Sequence, residues 1–143
     1  MTSVHDWNTK IIEEFHANDG RVGGNFEGFN IVVLHHVGRK SGTEYLAPTA
    51  YLRDADDPST IYVFASAGGR LEHPQWYRNL TAAGKATIEV GTETYPVIVT
   101  ELKGAERDRI YAEQVKVMPG FGEYEEKTAG VRTIPVLALR RAT

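Results

Sequence analysis

The five residues Gly38-Arg39-Lys40-Ser41-Gly42 follow an apolar run, Ile31 to Val37, and are the first place in this chain where side-chain types and spacing suggest binding chemistry. Two glycines let the backbone turn and approach a ligand closely. Arg39 offers a planar fork to phosphate, Lys40 a point charge and Ser41 a hydroxyl. That set suits an anionic tail, and it equally suits a solvated hairpin tip. It is not a Walker loop, because the GxxxxGK[ST] spacing and the helix that should follow are both missing.

A second segment runs from Ala65-Ser66-Ala67-Gly68-Gly69 to Trp76-Tyr77-Arg78-Asn79. A strand that ends in Ser and two glycines exposes main-chain N–H groups, and a helix starting near Pro74 would turn its positive end to the same region. Trp76 and Tyr77 have the rings to flank a planar ligand. The alternative places Trp76, Tyr77 and Leu80 in the core of an amphipathic helix.

Other chemistries find little support. His35 and His36 are adjacent on a strand and face opposite sides, while His5, His16 and His73 are scattered, so no metal centre is expected. No GxSxG elbow exists, and Ser66 has no evident base. Asp56-Asp57 and Glu125-Glu126 read as surface charge. The absence of cysteine removes disulfides and thiolate-ligated metals.

These residues need elements to position them. Spacing predicts an amphipathic helix over His5 to Ala17, with Trp7, Ile11, Ile12 and Phe15 on one face, then a glycine-rich loop to Gly28. Strands are expected over 31–37, 45–53, 61–67, 86–90, 95–102 and 133–140, and helices over 74–83 and 105–117 with a short piece around Tyr124. Pro48 cannot donate to a ladder and belongs at an edge or bulge. Hairpins dominate and crossover helices are too few for a parallel sheet, so the expected fold is mainly β with α, an antiparallel barrel of about six strands with flanking helices.

The 143 residues suit one domain, 1–143, of which 1–20 form the leading helix and loop. No apolar run reaches the roughly 18 residues of a spanning helix, and a cytoplasmic location is expected. With 16 Lys+Arg against 19 Asp+Glu the net charge is −3, which argues against a nucleic-acid partner. The first helix reads as a core cover more than a membrane anchor, whose polar face would carry more Lys and Arg. Oligomeric state is not legible.

Together, GRKSG after an apolar strand, FASAGG, HPQWYRNL opening a helix and RTIPVLALRR near the C-terminus resemble the deazaflavin-dependent nitroreductase family, split β-barrel proteins that use coenzyme F-420. The likeness spans about Gly23 to Arg140. It implies that Arg39, Lys40, Ser41 and Gly42, with Thr43, hold the phosphate and the start of the polyglutamate tail, and that Val33, Leu34 and His35 line the same groove. It places Ala65, Ser66, Ala67, Gly68 and Gly69 along the deazaflavin ring, with Trp76, Tyr77 and Asn79 from the helix.

In such relatives a Y-x-x-Y-x-x-Y cluster lines the acceptor pocket, and the matching positions here are Met118, Phe121 and Tyr124, with Phe121 also against the cofactor. Only Tyr124 keeps a hydroxyl, so the resemblance implies an oxidoreductase passing hydride to a quinone or other conjugated small molecule. Ser66 and Tyr124 are the candidates to orient or protonate it. Two alternatives are an FMN-binding split-barrel reductase and a deazaflavin carrier without turnover.

Overall fold

A computed structural model describes residues 4–22 and 30–142, with side chains from Thr9 onward. The glycine-rich stretch up to Gly28, expected as a loop, and the side chain of Trp7 lie outside the described residues. Six strands, β1 (Ile31–Val37), β2 (Glu44–Arg53), β3 (Thr60–Phe64), β4 (Lys85–Val90), β5 (Glu93–Leu102) and β6 (Val136–Arg141), close into a barrel in the order β1-β2-β3-β6-β5-β4. Every pairing is antiparallel. Among the described residues four α-helices accompany them: α1 (Val4–Ala17), α2 (Gln75–Ala83), α3 (Gly104–Val117) and α4 (Gly120–Thr128).

Alternation along each strand builds two cores. Val32 and Leu34 of β1, Ala47 of β2, Ile61 and Val63 of β3, Ile88 of β4, Tyr95 and Val97 of β5 and Leu137 and Leu139 of β6 fill the barrel, and Trp76 and Leu80 of α2 plug it. The opposite faces of β1, β3 and β6, through Ile31, Val33, Tyr62, Phe64 and Val136, are covered by Ile11 and Phe15 of α1, Ile110 and Tyr111 of α3 and Phe121 of α4. This explains why Ile31 to Leu34 read as a continuous apolar run: both faces of the strand are buried, and each such side chain contributes about 1.5–3 kcal/mol.

Helix limits follow their signals. Pro74 stands in extended backbone just before α2, and Gly84 takes the left-handed conformation past its end, with its N–H donating to Leu80 O at 2.8 Å. Gly20 (φ +94°) closes the turn after α1, where a Cβ would stand 2.5 Å from Gly91 Cα, so the end of α1 rests directly on the β4–β5 turn.

Two strand limits correct the sequence reading. β3 stops at Phe64 and not at Ala67, because the Ser66 N–H turns back to Phe64 O (2.8 Å) and Ala67–Gly69 form a 3-10 turn. β6 begins at Val136 and not at Thr133; before it, Pro135 O already receives the Ala65 N–H at 2.9 Å.

Pro48 stands opposite Val33 in a regular β1–β2 register. The Tyr51 N–H donates to Asn30 O (3.0 Å), so odd-numbered residues of β2 send their N–H groups to β1 and Pro48 faces away. On that side β3 pairs only with Tyr51 to Arg53, so among the described residues the first half of β2 has a strand on one side. The barrel is split there, and the edge expected for Pro48 is this local one.

Candidate functional site

The turn between β1 and β2 carries the first candidate site. Gly38 N–H donates to Thr43 O (2.8 Å), Gly42 N–H to Gly38 O (3.0 Å) and Thr43 N–H to Ser41 Oγ (3.2 Å). Gly42 has φ +71°, with open space where a Cβ would stand. Arg39, Lys40, Ser41, Gly42 and Thr43 are exposed at the tip.

Asn79 fixes this turn from beneath. It is 1% exposed, and its Oδ1 accepts from the Arg39 main-chain N–H (3.3 Å) and from Arg39 Nη1 (3.2 Å), while its Nδ2 donates to His36 Nδ1 (2.8 Å). Both ends of the amide are therefore engaged inside the protein, and Asn79 acts on the turn through Arg39. The remaining Arg39 donors stay free to meet an anion.

Because His36 Nδ1 accepts, the ring is neutral with its proton on Nε2. Its face stacks on Tyr45, centroids 5.5 Å apart. Burial lowers its pKa from 6.5 to about 4. An unfolded chain takes up that proton first as pH falls, so stability held above about pH 6.5 is lost progressively toward pH 4. In denaturant melts at pH 7, 5.5 and 4.5, a His36→Gln variant is expected to lose less stability between the first and last than the parent; equal losses refute the assignment.

The second candidate site is the turn after β3. Ala65 and Ser66 are buried, Ser66 is in the right-handed helical region, and Ala67 (φ +49°) and Gly69 (φ +84°) are left-handed. A Cβ on Gly69 would lie 3.2 Å from Tyr124 Cδ1 and 3.1 Å from Lys127 Cδ, so α4 packs onto this turn because the glycine leaves room. The hydroxyls of Ser66 and Tyr124 make no hydrogen bond to the described residues, and that of Ser66 does not cap its own turn.

Sequence reasoning gives no role to the residue that organises this turn. Arg132 sends Nη2 to Ser66 O (2.8 Å), Nη1 to Ala65 O (3.0 Å) and His73 Nδ1 (3.0 Å), and Nε to Arg70 O (3.0 Å). The only signal available is its place at the head of RTIPVLALRR.

The other expected site residues fall differently. Val33 and Leu34 are fully buried, one in each core, so their side chains support the site and do not line it. His35 points to the outer face, where Nε2 meets Glu89 Oε2 at 2.7 Å; Glu89 Oε1 meets His16 Nε2 at 2.7 Å. Burial pushes the Glu89 carboxyl up, but its hydrogen bonds with His35 and His16 outweigh this and hold it below its usual value. Trp76, 9% exposed, belongs to the inner core, the alternative left open above. Tyr77 stands half-buried with its hydroxyl on both Glu101 carboxylate oxygens (3.0 and 3.1 Å).

Of the three acceptor-pocket positions, Phe121 is buried among Phe64, Tyr111 and Tyr124. Met118 is half-buried, its sulfur accepting from Gln114 Nε2 (3.3 Å). Tyr124 is brought against the Ala67–Gly69 turn.

Residues 7–141 match a family model described as F420H(2)-dependent quinone reductase. A Mycobacterium tuberculosis protein provisionally named as an F420H(2)-dependent quinone reductase is 36% identical over 109 residues, covering 76% of this chain and 87% of the relative. Another from that species, named F420H(2)-dependent quinone reductase, is 28% identical over 133 residues, covering 89% and 85%. Among solved structures, an F420-H2 dependent reductase (FDR-A) superposes with TM-score 0.67 at 31% identity, covering 77% of this chain and 93% of the other. A chain described as a domain-swapped dimer superposes with TM-score 0.68 at 30% identity, covering 96% and 100%.

Proposed function

Because the chain belongs to the F420H(2)-dependent quinone reductase family, we propose that its two turns divide the cofactor between them, GRKSG taking the anionic tail and ASAGG the ring. The protein is a deazaflavin-dependent oxidoreductase whose substrate is a quinone-type small molecule. The observation that carries the division is helix α2, whose Asn79 fastens Arg39 while its first turn lies against His73, the partner of Arg132.

The residues present suit the cofactor. Arg39 and Lys40 are exposed, and among the described residues neither forms an ion pair, so the tip offers two positive charges to phosphate and carboxylate. When bound, the reduced deazaflavin supplies a hydride from a ring carbon. The chain's part is to hold the ring, exclude water and move a proton. Ser66 Oγ and Tyr124 Oη, neither with a hydrogen-bond partner among the described residues, are the groups we assign to orient the acceptor and to protonate the oxygen that gains charge. Met118 packs, like Tyr124, against the core that includes Phe121.

Titrating the purified protein with coenzyme F-420 and following deazaflavin fluorescence tests the reading. Saturable binding at micromolar concentration is expected, and FMN should not displace the coenzyme. No saturation, or displacement by FMN at equal concentration, overturns it. Arg39→Ala with Lys40→Ala should weaken binding about tenfold or more and flatten its salt dependence, since two charge-assisted contacts are lost. An unchanged salt slope would show that the tail lies elsewhere.

A further inference from the structure

We infer that Arg132 is a positioning residue for the ASAGG turn, and that His73 is the partner whose protonation releases it; this rests on the reading of that turn as the ring site. Three carbonyls, two at the start of the turn and one just past its end, converge on one guanidinium: Ala65 O, Ser66 O and Arg70 O. In a planar trans peptide the C=O and the following N–H point opposite ways. With Ser66 O drawn to Arg132, the Ala67 N–H is turned away from it, and that N–H has no partner among the described residues. Ala67 also carries φ +49°, a strained conformation for an L residue that persists only where surrounding contacts over-determine it. Arg132 supplies those contacts. A lysine, with one point charge and no fork, cannot span the three carbonyls that Nε, Nη1 and Nη2 reach separately.

His73 completes the arrangement. Its Nδ1 accepts from Arg132 Nη1, so the imidazole there is neutral, and a proton on Nδ1 would set cation against cation and remove the acceptor. The groups facing it are Arg132 from the approach to β6, Arg78 and Tyr77 from α2 (Tyr77 ring 4.8 Å away), Glu101 of β5 and Lys103 after it. Burial, then Arg132 and Arg78, hold the imidazole below its usual pKa of 6.5, with Glu101 opposing and Lys103 adding to the lowering. The neutral ring therefore holds Arg132 at neutral pH, and the contact is lost on acidification.

The test has a readout that needs no cofactor. Amide resonances of Ala67, Gly69 and Arg70 should titrate with the His73 ring between pH 8 and 5 in the ligand-free protein. In His73→Asn, whose Oδ1 accepts without titrating, they should not. Coenzyme F-420 affinity should fall about threefold or more from pH 8 to 5.5 in the parent, stay flat in His73→Asn, and drop about tenfold at every pH in Arg132→Lys. Amides that do not move in the parent, or that titrate equally in His73→Asn, overturn the inference, and the asparagine variant decides even where Arg132→Lys fails to fold. Amides that behave as expected in a protein that does not bind the coenzyme overturn the ring-site reading and leave the positioning of the turn by Arg132 standing.

Discussion

Replacing Asn79 by leucine is expected to destabilise the protein by roughly 1–3 kcal/mol, from partners left unsatisfied, and to weaken coenzyme binding about tenfold. Leucine fills nearly the same volume, so cavity formation contributes little. The cost comes from the Arg39 main-chain N–H and His36 Nδ1, both of which lose their partner. Asn79→Asp separates the two contacts. Its carboxylate still accepts from Arg39 but cannot donate to His36, and instead favours a proton on that ring, so acid stability should change while the Arg39 turn is retained. Denaturant unfolding and a coenzyme titration on both variants check this. If Asn79→Leu lowers affinity without touching stability, the amide meets the ligand directly and does not act through Arg39.

A larger loss is expected for Phe121→Ala, about 3–5 kcal/mol for a buried aromatic truncated to alanine. At this chain length that is a fall in Tm of roughly 10–15 °C. The ring is 6% exposed and meets Phe64 edge-on at 5.7 Å, with Tyr124 at 5.2 Å, so its removal also loosens the support of α4 on the Ala67–Gly69 turn. Phe121→Tyr discriminates core from pocket. In a core position the added hydroxyl is buried without a designed partner and costs about 1–3 kcal/mol. In an acceptor pocket it would restore the hydroxyl of the tyrosine cluster, leaving Tm unchanged and raising turnover with nitro compounds. The buried packing leads us to expect the first result.

The barrel was legible because its strands are β-branched runs separated by glycine and proline, and because hairpins outnumber crossovers. GRKSG was legible as a turn for the same reason. What could not be read was where a local pattern yields to a distant partner. Alanine at position 67 gives no hint of a left-handed backbone, which is set by Arg132, 66 residues along the chain from Ser66. Asn79 looks like a ligand-binding amide until Arg39, 40 residues away, is found against it. Trp76 and Phe121 were ambiguous because an aromatic side chain suits a ring-stacking wall and a core equally well.

The half-paired β2 strand has a further consequence, for solubility. A strand with one bare side presents a row of main-chain donors that another polypeptide can read, the usual route to strand addition and aggregation. In this chain the outward-facing donors of that half lie at even positions, and Pro48 deletes the one between residues 46 and 50. No continuous ladder can be templated across the gap, and the exposed Glu44 places a charge near its end. The one-sided half of β2 is thus closed to an incoming strand.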